Sequence, residues 1–147
     1  MSSFVVVLAL HVLGATVWTG GHLVLALAVL PRALARRSIE ELQRFEGSFE
    51  RVGVPALVVQ LVTGLWLAAR FVPPERWFDL ERATSRTIVF KLTLLAVTAV
   101  LALDARLRLI PKLTPEQLPA LAAHVIPVTV LSVLFVLAGV AFRVGGL

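Results

Sequence analysis

Four long apolar runs, separated by short polar connections, set the pattern of the chain: residues 4–30, 52–72, 84–103 and 118–144. Each is close to or above the ~20 residues that carry a helix across the hydrocarbon core of a bilayer. Backbone in lipid must satisfy its own hydrogen bonds, so each run predicts a spanning helix. Together they predict an all-α integral membrane four-helix bundle, a single transmembrane domain over residues 1–147.

The connections carry their own signals. Pro31 is expected to end the first run. Ser38-Ile39-Glu40-Glu41 has the form of a capping box. Ile39, Leu42, Phe45, Phe49 and Val52 then recur at helical spacing, which predicts a short amphipathic helix between spans one and two. Pro73 and Pro74 close the second span, and Trp77 and Phe78 stand where interfacial aromatics usually lie. Pro111 and Pro115 bracket the third connection, where Thr114 to Gln117 forms a second capping-box sequence with proline at its first helical position. Pro127 and Pro55 predict kinks inside spans four and two.

Each span also carries polar or small residues on one face. On the first, His11, Gly14, Trp18 and His22 share a side, because eleven residues at ~100° each return to within roughly 20°. On the second the stripe is Gln60, Thr63, Gly64 and Leu67; on the third Thr84, Thr87, Lys91 and Thr98; on the fourth His124, Leu131, Ser132 and Phe135. Such stripes favour helix contacts, so they are expected to face inward.

Composition sharpens the picture. The chain is 59% hydrophobic and 16% charged, which a soluble domain of 147 residues would not be. No cysteine is present, excluding disulfides, thiolate metal sites and covalent haem attachment through CxxC. The one methionine is Met1, which weighs against a sulfur-based Cu(I) pathway. The net charge of +5 comes from arginines in the connections, and no motif points to nucleic acid. Arg32, Arg36, Arg37, Arg44, Arg51, Arg106, Arg108 and Lys112 follow spans one and three; Arg70, Arg76, Arg82, Arg86, Lys91 and Arg143 belong to the other side. That bias predicts a multi-pass protein of the inner (cell) membrane with both termini outside the cytoplasm. The first run is about twice the length of a signal-peptide core and lacks a basic leader, so it is expected to be a retained span.

Ionisable residues at membrane depth are functional candidates by default. Counted from the run ends, His22 and His124 should both lie about 9–14 Å inside the cytoplasmic boundary, a pair across the bundle. His11 and Lys91 should share a level near the other boundary. Three imidazoles without sulfur suit haem b, one or two copies, with His11, His22 and His124 as candidate iron ligands. Arg32, Arg36 and Arg37 are candidates to meet propionates. Gly14, Gly20, Gly21 and Gly64 would let a flat ring approach the backbone, with Trp18 beside it. Asp104 and Arg108, at i,i+4, predict an interfacial ion pair.

At Leu10-His11, Trp18-Thr19-Gly20-Gly21 and Leu30-Pro31-Arg32, then Phe49-Glu50-Arg51 and Thr63-Gly64-Leu65-Trp66, then Phe90-Lys91-Leu92 with Arg106 and Pro111, the chain resembles the copper resistance protein D (CopD) family and the related HemJ-type protoporphyrinogen oxidases. The HemJ likeness implies a small helical haem b protein with His11 as ligand and Lys91 as a functional residue. The CopD likeness implies copper uptake or resistance, usually in a longer protein. His22 and His124 stand outside the shared pattern and favour a second or differently ligated site.

The leading expectation is therefore a b-type cytochrome, moving electrons or doing redox chemistry in the bilayer. Quinone, a porphyrin or a diatomic gas would be its partner or substrate. Copper carried by histidines alone is the alternative, and a protoporphyrinogen oxidase a further one. A small bundle of this kind also admits a homo-oligomer.

Overall fold

The computed structural model describes residues 2–144, which form four long antiparallel helices joined by short connections. We label them α1 (Ser3–Arg36), α2 (Glu40–Phe71), α3 (Ala83–Lys112) and α4 (Pro115–Arg143). All four are long and apolar enough to cross a membrane, and no strand occurs among the described residues. Large apolar side chains such as Leu27, Val62, Val100, Leu107 and Val140 point outward, as a lipid environment requires.

The helices run past the apolar runs at the arginine-rich end, and two expectations are corrected there. Pro31 does not end α1. A π turn over Leu25–Val29 precedes it, and the Leu30 N–H reaches the Leu25 carbonyl five residues back. That wider turn accommodates a proline that brings no N–H and a ring that crowds the carbonyl four residues before it. The helix stops only at Arg37, whose φ of 49° is left-handed. The same device precedes Pro111, with a π turn over Ala105–Leu109.

Nor does a separate short amphipathic helix lie between spans one and two. Its predicted residues are the opening turns of the 32-residue α2. Leu42 is buried while Gln43 and Arg44 are exposed, so the periodicity was sound; no breaker divides it from the apolar run. The Ser38 box caps nothing, because the residue preceding α2 is Ile39. Glu41 turns back to Arg32 instead, at 2.8 Å. In the second box the Gln117 side chain does accept the Thr114 N–H, at 3.2 Å.

α2 packs along α1, α1 against α4, and α4 against α3. The α1–α2 seam is lined with glycine. A Cβ on Gly14 would lie 2.9 Å from the Ala56 carbonyl oxygen, and one on Gly21 would lie 1.9 Å from Phe49 Cε2. Small residues thus let these backbones approach, where lipid gives no hydrophobic drive. α1 meets α4 through the Thr19 hydroxyl donating to the Ser132 carbonyl (3.3 Å) and the Thr129 hydroxyl donating to the His22 carbonyl (3.2 Å). A cluster including Leu30, Ala33, Leu42, Leu113, Leu118 and Leu121 closes the arginine-rich end. α2 and α3 barely approach each other along their length; Arg106 and Glu50 join them by an ion pair of 2.8 Å at that end.

Candidate functional site

The inward threonines are largely satisfied by their own helices. Thr87, Thr98 and Thr129 donate to the carbonyls of Ala83, Leu94 and Val125, four residues back. The α3 stripe therefore demands no ligand, and the histidines and Lys91 carry the chemistry.

His11 projects from α1 over Gly64 of α2, whose missing Cβ would fall 2.9 Å from the imidazole Cε1. Its Nδ1 lies 3.1 Å from the Gln60 carbonyl oxygen and 3.0 Å from the Thr63 hydroxyl. A carbonyl only accepts, so Nδ1 carries the proton and donates. Thr63 donates to the Val59 carbonyl at 2.6 Å, leaving its oxygen free to receive the same N–H. The ring is thereby fixed in one tautomer with the Nε2 lone pair free. Nearby, the Gln60 side-chain oxygen is buried without a hydrogen-bond partner.

Lys91 is half-buried on α3, with Nζ facing Gly139 of α4. No carboxylate pairs with it among the described residues. The His11 ring thus faces α2 and the Lys91 amine faces α4.

His22 is buried at 9% exposure. Its Nδ1–H donates to the Trp18 carbonyl at 2.9 Å. Its ring lies against Trp18 with centroids 4.4 Å apart, and meets Phe49 edge-on at 5.6 Å. Phe45 stacks on Phe49 at 5.8 Å. Trp18 is therefore both wall and hydrogen-bond anchor for His22.

His124 differs from the other two. Its Nδ1–H donates to the Ala120 carbonyl at 3.0 Å, and its Nε2 lies 2.9 Å from Asp104 Oδ2 on α3. Asp104 Oδ1 takes the Arg108 Nε at 3.2 Å, as the i,i+4 spacing predicted. The cross-bundle pairing of His124 with His22 is not what the helix register gives. Thr129, not His124, is level with His22. The five-residue step from Thr129 back to His124 places the histidine about 7–8 Å nearer the arginine-rich end.

The remaining candidates are engaged by protein groups. Arg32 and Arg36 reach Glu41 at 2.8 and 4.0 Å, and Arg37 reaches Glu116 at 4.0 Å. The faces of Gly14, Gly21 and Gly64 meet Ala56, Phe49 and His11; that of Gly20 is open. Among the described residues no three His, Asp or Glu side chains converge as a metal site. The surface among the described residues includes shallow depressions. One is lined by Arg36, Ser38, Glu40, Glu41 and Arg44, another by Val100, Leu103, Asp104, Leu107 and Arg108.

Sequence reasoning missed the Asp104–His124 pair, because Asp104 was already matched to Arg108. It placed Gln60, Thr63 and Gly64 on one face without joining them to His11. The signal was there: a histidine and an amide–hydroxyl–glycine patch at one depth on neighbouring spans.

The family profile described as Copper resistance protein D matches residues 40–143, which cover α2, α3 and α4 and include Lys91, Asp104 and His124. No curated protein and no solved structure matches the chain. The profile covers well over half of the sequence, and the chain belongs to the copper resistance protein D family of multi-pass membrane proteins.

Proposed function

We propose that this chain is a haem b protein of the membrane, serving electron transfer or redox chemistry within the bilayer. His11 Nε2 would hold the haem iron, and His22 Nε2 would offer a second ligand position. One observation supports this above the others: each of these imidazoles stands alone, with Nδ1–H tied to a backbone carbonyl and Nε2 unpaired. Metal-ligating histidines characteristically donate their other nitrogen in this way. A bare copper ion needs several protein ligands at one point, and no three candidate side chains converge among the described residues. A porphyrin supplies four ligands of its own, so one imidazole is enough to hold its iron. The donor set thus fits haem better than histidine-bound copper.

His11 and His22 are about 16 Å apart along α1. Two imidazoles on one iron would be separated by roughly 4 Å, twice a metal–nitrogen bond. Each would therefore serve a separate haem. Lys91 would meet an anionic group near His11, a propionate or a carboxylate-bearing substrate. The weakly packed face between α2 and α3 is where a macrocycle would enter. When bound, haem would supply one-electron redox chemistry; the chain's part is to fix the imidazole tautomers through the Gln60 and Trp18 carbonyls. A quinone in the membrane is the natural partner for such a centre, and a second copy of the chain a possible one. The arginine bias supports an inner-membrane orientation with the arginine-rich end cytoplasmic. Copper uptake remains the alternative, favoured by the family's name alone; a protoporphyrinogen oxidase activity would use the same His11 and Lys91.

The protein purified from haem-replete membranes should show the absorption bands of a b-type haem that shift on dithionite reduction, with haem extractable into acid acetone. A colourless protein that takes up no added haem, and binds copper stoichiometrically, would refute the proposal in favour of the copper reading.

A further inference from the structure

The arginines at the arginine-rich end fall into two groups. Arg32, Arg36, Arg37, Arg106 and Arg108 each face a carboxylate within 4.0 Å. Arg44 and Arg51 of α2 differ: neither guanidinium meets an acid or another polar group among the described residues. They stand seven residues apart, two turns, so both project from one side of the helix, about 10 Å apart in height. Gly47 and Ser48 lie between them on that side, and all four residues are exposed. Ser48 turns its hydroxyl back to the Arg44 carbonyl at 3.0 Å, and a Cβ on Gly47 would meet nothing within 4 Å. A shallow shelf is left between two free guanidiniums. Leu42 and Gly53 are buried on the opposite face, which packs into the bundle. Glu46 and Glu50 lie roughly 100° or more round the helix from the shelf, and Glu50 is taken by Arg106. Glu40, one turn further out, makes no ion pair with Arg44.

We infer that this shelf binds the phosphate of an acidic phospholipid. It immediately precedes the apolar run that begins at Val52, which sets it at headgroup level. Toward the membrane the same side of α2 continues as Pro55, Val58 and Val62, all exposed, a surface for acyl chains. Guanidinium is the side-chain group best matched to phosphate, through two parallel N–H bonds. Gly47 and Ser48 carry too little bulk to keep a phosphate and its glycerol from the helix between the two forks. Two guanidiniums around one phosphate leave positive charge in excess. The ammonium of a zwitterionic headgroup would be repelled there, and a headgroup without one would not. The ion-paired arginines, each already facing a carboxylate, supply only the general attraction to an acidic leaflet.

Native mass spectrometry of the delipidated full chain in detergent, titrated with phosphatidylglycerol or phosphatidylcholine, reads the affinity for each lipid. Phosphatidylglycerol should bind the more tightly. Arg44→Gln combined with Arg51→Gln should weaken it about thirtyfold, the usual worth of two arginines beside an acidic surface. Arg106→Gln combined with Arg108→Gln removes the same charge from ion-paired arginines at the same end and should change it little. Gly47→Leu keeps every charge and fills the shelf with a better helix former; it too should weaken phosphatidylglycerol binding. Inorganic phosphate at the same concentration should not compete, because it has no chains to lie along Val58 and Val62. Equal binding of the two lipids, an equal loss in the α3 pair of substitutions, or undiminished binding by Gly47→Leu would overturn the proposal. So would displacement by inorganic phosphate, or a second copy of the chain held in place of lipid.

Discussion

Gly20 and Gly21 are adjacent on α1, yet alanine at the two positions should have opposite effects. A Cβ on Gly20 meets nothing within 4 Å. A Cβ on Gly21 would lie 1.9 Å from Phe49 Cε2 and 2.3 Å from Cζ, where carbons normally rest about 3.5–4.0 Å apart. The ring would have to retreat by roughly 1.5–2 Å. It has little room: it packs on Gly53 of its own helix and is flanked by Phe45, Trp18 and His22 at 5.8, 6.2 and 5.6 Å. Overpacking of this kind costs about 1–3 kcal/mol. The gain in helix propensity on replacing glycine by alanine, up to ~1 kcal/mol, is common to both variants. Gly21→Ala should therefore be less stable than Gly20→Ala by about 2 kcal/mol, a difference that isolates packing against Phe49. Unfolding by sodium dodecyl sulfate from mixed micelles, followed by circular dichroism, measures it. In a Phe49→Ala background the penalty should vanish, a coupling of the same ~2 kcal/mol. Equal stabilities of the two alanine variants, or no coupling to Phe49, would refute the α1–α2 seam described here.

Other consequences can be checked in the same system. Gly14→Ala sets a Cβ 2.9 Å from the Ala56 carbonyl, a backbone atom that no rotamer change can move; a loss of about 2 kcal/mol is expected, with a shift of the His11 nitrogen resonances as Gln60 and Thr63 are displaced. Thr63→Val removes one of two acceptors for His11 Nδ1 and should cost about 1 kcal/mol; the Gln60 carbonyl should preserve the tautomer, visible by nitrogen-15 NMR. Glu50→Gln breaks the Arg106 pair, whose side chains are 55% and 45% exposed; its effect should stay below about 1 kcal/mol and disappear in high salt.

The spans and their order were legible because lipid imposes one rule on every residue of a run, so hydropathy and length decide. A constant rise per residue likewise converts position in a run into height along its helix. What a run cannot convey is azimuth between helices. His22 and His124 were matched by height alone, and the observed register and the turn of His124 toward Asp104 separate them. The fate of Pro31 was hidden because proline breaks an α-helix but is tolerated after a π turn, and no residue type marks that turn. Ser38 failed as a cap because Glu41, its partner in the motif, had stronger cationic partners in Arg32 and Arg36.

The central claim is that His11 and His22 hold iron separately and that His124 does not. Haem content and reduced-minus-oxidised spectra of His11→Ala, His22→Ala and His124→Ala, purified from haem-replete membranes, test it most directly. The account predicts partial loss of haem in each of the first two variants, complete loss when they are combined, and full retention in His124→Ala. Haem lost with His124→Ala, or kept when both His11 and His22 are replaced, would contradict it.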